Sequence, residues 1–140
     1  MLVGSYEQNI DAKGRVNIPS KFRSSLGETF VVAAGDEKCV NIYPLPEWNA
    51  FMERVASIDA EDRAMIMRYI QRTSAECDLD SQGRVVIPPK LREYAELVRE
   101  IVVVGVHKKV EVWSLGNWNG YSDNEFDMDK ISDIMKRIGI

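Results

Sequence analysis

Histidine, cysteine and long apolar segments are scarce in this chain of 140 residues. His107 is the only histidine, and its place in a turn-like stretch excludes a His-dependent triad and most metal sites. Cys39 and Cys77 stand alone, without the Cys-x-x-Cys spacing of zinc or redox sites. We expect both thiols to be buried, reduced and unbridged. No catalytic residue, metal site or cofactor is therefore predicted.

The longest apolar runs, such as residues 101–104, are much shorter than the roughly 20 residues that a transmembrane helix needs. Met1 is followed by strand-like residues and not by the basic and apolar segments of a signal peptide. We therefore expect a cytoplasmic protein with no membrane partner. The apolar share of 45% and the charged share of 29% fit a globular domain, and no linker rich in proline, glycine or serine divides it.

The chain contains an internal repeat. Residues 11–23 return as residues 80–92 with eight identical positions, and the apolar strand pattern of residues 31–35 returns as residues 101–105. Two copies are too few for a solenoid, in which many repeats stack on one another. The repeat instead predicts two pseudo-symmetric halves that pack as one unit.

Each repeat carries the pattern Asp-x-x-Gly-Arg. The motif residues are Asp11, Gly14 and Arg15 in the first copy and Asp80, Gly83 and Arg84 in the second. Aspartate at the start of a tight turn accepts backbone N–H groups, and glycine tolerates the positive φ that such turns require. The spacing also puts each carboxylate within reach of its arginine, which would hold the guanidinium in one direction.

Positive charge is concentrated on the two copies. Residues 11–23 carry a net charge of +3 and residues 80–92 a net charge of +2, while the whole chain has −4, which leaves −9 elsewhere. Guanidinium groups suit phosphates and the O6 and N7 edge of guanine. Solvated strand and helix ends are the competing explanation. The candidate DNA-binding residues are Arg15, Arg84, Lys13, Gln82, Lys21, Arg23, Lys90 and Arg92.

The apolar periodicity predicts an α+β fold. In each half, a strand, the Asp-x-x-Gly-Arg turn, a return strand and a short helix precede a further hairpin. Amphipathic helices follow each half, and Met128, Ile131 and Met135 belong to an apolar stripe near the C-terminus. Such a stripe is either core or an interface between chains, so we expect an oligomer larger than a dimer.

The paired motifs, the opening residues 1–6 and the phrase Gly-Arg-Val-x-Ile-Pro resemble the MraZ family of bacterial transcriptional regulators. The resemblance covers essentially the whole chain. It implies two swapped-hairpin β-barrel halves of the AbrB/SpoVT type, fused in one chain and assembled into a ring. On this basis residues 1–57 form the first half, 58–74 a connecting helix, 75–120 the second half and 121–140 a C-terminal helix.

The resemblance also implies a function. The family binds repeated double-stranded DNA sites upstream of the division and cell-wall operon, usually as a repressor, so a nucleoid-associated protein without a small-molecule substrate is expected. Arg15 and Arg84 match the family's DNA-contacting arginines. Gln82 stands where the first copy has Lys13, which leaves open whether both halves contact DNA equally.

Two other classes of function remain open from the residues themselves. An enzyme could use Asp11 and Asp80 as paired carboxylates, but arginine beside each one should lower its pKa, which disfavours a general acid. The second class is an oligomeric scaffold that does not bind DNA.

Overall fold

The computed structural model describes the backbone of all 140 residues and the side chains of all but residues 122–125. Within this description there are eight strands and six helices. The strands are β1 (Leu2–Asn9), β2 (Arg15–Asn17), β3 (Thr29–Ala34), β4 (Val40–Pro44), β5 (Ser74–Asp78), β6 (Arg84–Val86), β7 (Glu100–His107) and β8 (Val110–Ser114). The helices are α1 (Ser20–Leu26), α2 (Leu45–Ala56), α3 (Ala60–Thr73), α4 (Pro89–Ala95), α5 (Leu115–Glu125) and α6 (Met128–Arg137). The predicted α+β class is confirmed.

The strands of the two repeats interleave. Six of them form an antiparallel sheet in the order β1-β7-β8-β4-β3-β5, so that β1 of the first repeat pairs with β7 of the second. At the opposite edge β5 of the second repeat pairs with β3 of the first. The two halves therefore complete one common sheet.

The remaining two strands, β2 and β6, pair antiparallel as a separate two-stranded ribbon. Pro19 and Pro88 follow these strands closely, and proline cannot donate a ladder hydrogen bond, so each strand is only three residues long. The described strands thus make an open sheet and a short ribbon, and no closed barrel. In this respect the structure differs from the β-barrel halves expected from the sequence.

The main core lies between the sheet, the ribbon and the short helices α1 and α4, and it mixes residues of both repeats. Phe22 of α1 and Phe30 of β3 are completely buried, and the Tyr6 ring meets the Phe22 ring edge-on with centroids 5.5 Å apart. Burial of such a side chain stabilises the fold by about 1.5–3 kcal/mol. Because the core is shared, neither half has a complete core of its own.

The helices after each repeat differ in how they pack. Helix α3 lies within the predicted connecting segment 58–74 and buries Ile70. Helix α5 runs across the expected boundary between residues 120 and 121, and a second helix, α6, follows it. No described residue of α6 is buried, and Met128 at its start and Ile138 directly after its end are 67% and 68% exposed.

Candidate nucleic-acid interface

The first turn is organised by one carboxylate. Asp11 Oδ1 accepts the backbone N–H groups of Lys13 at 3.0 Å and Arg15 at 2.8 Å, while Asp11 Oδ2 accepts the Arg15 Nε–H at 2.5 Å. Gly14 takes φ 79° and donates its N–H to the Asp11 carbonyl at 3.0 Å. The predicted contact between Asp11 and Arg15 is therefore present.

The second turn repeats this geometry. Asp80 Oδ1 accepts the N–H groups of Gln82 and Arg84, each at 2.9 Å, and Asp80 Oδ2 accepts the Arg84 Nε–H at 3.0 Å. Gly83 takes φ 76° and donates to the Asp80 carbonyl at 3.0 Å. Both arginines thus use Nε for the turn, and in the described part of the chain their terminal nitrogens form no hydrogen bond.

These hydrogen bonds favour the ionised carboxylates. The pKa of Asp11 lies below its ordinary value because its oxygen accepts the backbone N–H of Arg15, and the guanidinium adds to this effect. The pKa of Asp80 is lowered by the same contacts from Arg84. Both groups are therefore charged at neutral pH and cannot serve as general acids there.

The register of the ribbon puts both arginines on one face. Arg15 lies opposite Val86, and Arg84 lies opposite Asn17. Between these rows the side chains of the paired Val16 and Val85 are buried beneath the ribbon. Because side chains alternate along a strand, the outer face presents Arg15, Asn17, Arg84 and Val86. The arginines are diagonal neighbours, about 7–8 Å apart.

The two turns are also tied to each other. The Ile18 N–H donates to the carbonyl of Gly83 at 3.0 Å, and the Ile87 N–H donates to the carbonyl of Gly14 at 2.9 Å. Each repeat therefore hydrogen-bonds the turn of the other. The two clamped arginines belong to one rigid unit.

Arg23 and Arg92, which the sequence placed among the candidate DNA contacts, are half-buried behind the turns. Arg23 donates Nε–H to the Ile18 carbonyl at 2.9 Å and Nη2–H to Asn17 Oδ1 at 3.2 Å, and its guanidinium lies against Gly83. The Arg92 guanidinium lies against Gly14. These two positions indicate that both arginines support the turns.

The other candidates are exposed. Lys13 and Gln82 lie at the tips of the two turns, and Lys21 and Lys90 lie on α1 and α4. Their side chains are accessible to solvent.

Sequence reasoning missed two supporting residues and one exposed one. Gln8 Nε2 donates to the Asn17 carbonyl at 2.6 Å, and Gln8 Oε1 accepts the Asn17 N–H at 2.9 Å, which joins β1 to β2. Val86 stands on the outer face at 51% exposure. The two-residue period of a strand could have placed Asn17 beside Arg15 and Val86 beside Arg84.

The described residues contain no group of three or more histidine, cysteine or acidic side chains able to hold a metal ion. In the same residues no helix is both long and apolar enough to cross a bilayer. Cys39 is buried, and desolvation raises the pKa of its thiol to about 12, which makes it unreactive at neutral pH. Cys77 is half-buried, and desolvation raises its pKa too.

Comparison with known proteins gives consistent matches over the whole chain. The model of a family described as "MraZ protein, putative antitoxin-like" matches twice, over residues 1–69 and 70–137. A protein of Lachnoclostridium phytofermentans named transcriptional regulator MraZ is 44% identical over 100% of this chain and 99% of its own length. Proteins of the same name from Halothermothrix orenii and Clostridium tetani are 40% and 36% identical over 100% of both chains.

Proposed function

The chain belongs to the MraZ family, and from that premise we propose that it is a sequence-specific DNA-binding transcriptional regulator. The resemblance found in the sequence is thereby confirmed, and a family of transcriptional regulators also agrees with the prediction that the chain is not an enzyme. The observation that carries the proposal is the pair of clamped arginines, Arg15 and Arg84, on one face of a two-stranded ribbon.

A two-stranded ribbon is an element that proteins use to read DNA. The major groove of B-DNA admits a two-stranded β-ribbon, and arginine can donate two hydrogen bonds to O6 and N7 of guanine. Because Asp11 and Asp80 bond the Nε atoms, the terminal nitrogens of Arg15 and Arg84 remain available to donate to DNA. Immobilising a long side chain on binding costs on the order of 0.5–1.5 kcal/mol, and an arginine that is already ordered avoids part of this cost.

Neighbouring exposed residues would contact the DNA backbone. Lys13 and Gln82 lie at the turn tips that adjoin the ribbon, and Lys21 and Lys90 are exposed on the short helices that follow its strands. Lysine contacts to phosphate carry no sequence information but release counterions, so they set the salt dependence of binding. The acidic remainder of the chain would keep DNA at this face.

We propose further that copies of the chain assemble into a ring that binds repeated promoter sites of the division and cell-wall operon as a repressor in the cytoplasm, associated with the nucleoid. The exposed apolar stripe of α6 supports assembly, because such a face is unfavourable in water. The interleaved pairing of β1 with β7 and of β5 with β3 supports the swapped-hairpin arrangement of the halves.

The proposal is tested by fluorescence anisotropy with DNA that carries one or three copies of a repeat selected from a random library. The Arg15→Ala, Arg84→Ala double variant should lose about 1–3 kcal/mol per bidentate contact, and more on three repeats because linked sites reinforce one another. Lys21→Ala and Lys90→Ala should mainly reduce the salt slope. Lys108→Ala removes one positive charge from an exposed residue of the β7–β8 hairpin, at the end of β1 opposite the first turn, and should bind like the parent.

Circular dichroism of every variant shows whether the fold is kept. Equal affinity of the folded double variant and the parent for three-repeat DNA would refute the role of the ribbon. A folded, oligomeric parent without any salt-sensitive DNA affinity would instead favour the oligomeric scaffold.

A further inference from the structure

The outer face of the ribbon is not symmetric. In the first repeat the residue two positions after the clamped arginine is Asn17, and in the second repeat it is Val86. The two repeats therefore present different chemistry to anything that the ribbon contacts, although their Asp–Arg pairs are alike.

The side chain at this position makes a hydrogen bond within the protein in the first repeat only. Asn17 Oδ1 accepts a hydrogen bond from Arg23, and its backbone is held on both sides by Gln8. Val86 is 51% exposed and belongs to neither buried apolar cluster, whereas its neighbour Val85 is 1% exposed and lies in the core. The isopropyl group of Val86 therefore points outward beside the arginines.

Within the major groove, the apolar group that a side chain of this kind fits is the C5-methyl of thymine. We propose that Val86 contacts a thymine methyl and thereby adds a sequence preference that the first repeat lacks. The inference rests on the proposed DNA-binding function and names a specificity-determining residue within it.

The pairing register of β2 and β6 also predicts where the thymine lies relative to the bound guanine. Val86 lies directly opposite Arg15, and residues paired in this way have Cβ atoms about 4.5–5.5 Å apart. Bases along one strand are about 3.4 Å apart. The thymine should therefore lie within about one or two base pairs of the guanine bound by Arg15.

The test removes the methyl group from the DNA and leaves the protein unchanged. Anisotropy titrations compare a one-repeat fragment made with thymine and the same fragment made with uracil. The parent should bind the uracil fragment about fourfold more weakly per contacted methyl, the factor that corresponds to burial of one such group. Single replacements of thymine by uracil should localise the loss beside the Arg15 guanine.

Two variants separate a contact by Val86 from a change in DNA shape. Val86→Ala should bind both fragments equally, because it lacks the methyl groups that make the contact. Val98→Ala truncates a valine that is 85% exposed outside the ribbon and should keep the full sensitivity to uracil. Circular dichroism verifies that both variants are folded.

The outcomes distinguish this inference from the function on which it rests. Specific DNA binding that is insensitive to uracil, or a Val86→Ala variant that remains as sensitive as the parent, would overturn the role of Val86 and leave the regulator intact. Absence of specific DNA binding by the parent would overturn both.

Discussion

The two Asp–Arg turns have nearly the same internal hydrogen bonds, but the arginines that pack behind them are bonded differently. Within the turns the carboxylates accept the same three hydrogen bonds, with distances that agree to within half an ångström. Behind the first copy's ribbon strand, Arg23 is hydrogen-bonded to Ile18 and Asn17. Behind the second, Arg92 Nε is buried and has no hydrogen-bond partner among the described residues.

This difference shows what the repeat retains and what it does not. The geometry that directs Arg15 and Arg84 outward is kept in both copies, while the support of the second copy has lost a hydrogen bond. Val86 in place of Asn17 removes the acceptor that Arg23 Nη2 uses in the first copy, since valine offers none. The unpaired Nε is a separate loss, because its counterpart in the first copy bonds the backbone carbonyl of Ile18. A buried polar group without a partner costs about 1–3 kcal/mol. The second copy is therefore less well supported behind its turn, and it also presents an apolar group on its outer face.

The test of this comparison with the largest expected effect on stability is replacement of the turn glycines. Alanine at either position must adopt a positive φ and meets the arginine behind it, Arg23 at Gly83 and Arg92 at Gly14. We expect Gly83→Ala to lower the free energy of unfolding by about 2–4 kcal/mol, because Arg23 is anchored and cannot move aside. Gly14→Ala should cost about 1–2 kcal/mol, because Arg92 has no such hydrogen bonds and can shift.

Urea denaturation at one fixed protein concentration measures both values, since assembly makes stability depend on concentration. Gly116→Ala is a control on α5, where the space that a Cβ atom would occupy is open and φ is not in the positive range. A smaller loss for Gly83→Ala than for Gly14→Ala would reverse the comparison.

Truncation of the two supporting arginines should also affect the two copies differently, but with smaller losses of stability. Arg23→Ala removes two charge-assisted hydrogen bonds, one from the Ile18 carbonyl and one from Asn17 Oδ1, so we expect a loss of about 1.5–3 kcal/mol. Arg92→Ala should cost less than about 1 kcal/mol, since loss of packing is offset by removal of a buried nitrogen without a partner. Thermal unfolding followed by circular dichroism compares the two, and equal losses would contradict the difference in support.

Much of the fold could be predicted from the sequence because its signals are local. The repeat, the alternation in β2 and β6 and the turn residues fix the order of strands and helices in each copy. The pairing of β1 with β7 could not be predicted, because nothing local distinguishes a partner in the same repeat from one in the other. The break between α5 and α6 was also missed, although Asp127 caps α6 by accepting the Lys130 N–H at 3.1 Å.

The candidate site shows the same limit. The contact of Asp11 with Arg15 follows from four-residue spacing and was predicted correctly. Arg23 and Arg92 are candidate DNA contacts by their charge, but charge alone does not reveal which side of the ribbon a residue takes. Their places against Gly83 and Gly14 depend on the crossing of the two repeats, which only the tertiary structure specifies.

The clamping carboxylates should respond to substitution and pH in the same way in both copies. Asp11→Asn and Asp80→Asn keep an oxygen for the backbone N–H groups but lose the charge that orders the arginine, so DNA affinity should fall while stability changes little. Because both native pKa values are lowered, the contribution of the carboxylates is complete above their ordinary value of 3.8 and disappears as the pH falls through the lowered values. Affinity of the parent should therefore not depend on these groups between about pH 6 and 8.

Anisotropy titrations of the two asparagine variants and the parent over that pH range check this symmetry. If only one of the two variants lost DNA affinity, the two copies would contact DNA unequally. A large loss of stability in either variant would show that the ion pair supports the fold, in contrast to the small effect typical of partly exposed pairs.

The last test gives Arg92 one of the two acceptors that Arg23 has in the first copy. Val86→Asn places an amide oxygen where Asn17 has one in the first copy, within reach of Arg92 if the pseudo-symmetry holds. The new hydrogen bond should stabilise the fold by about 1.5–3 kcal/mol, but asparagine is disfavoured in strands by up to about 1 kcal/mol, so a net gain of about 1 kcal/mol is expected.

Asn17→Val is the reciprocal change, and it should lose the bond to Arg23 and lower the free energy of unfolding. Urea denaturation measures both variants. In DNA titrations Val86→Asn should in addition lose the discrimination between thymine and uracil, because the outward methyl groups are gone. A variant that became more stable yet kept that discrimination would separate the two roles assigned to this position, and would place the methyl-reading group elsewhere on the ribbon.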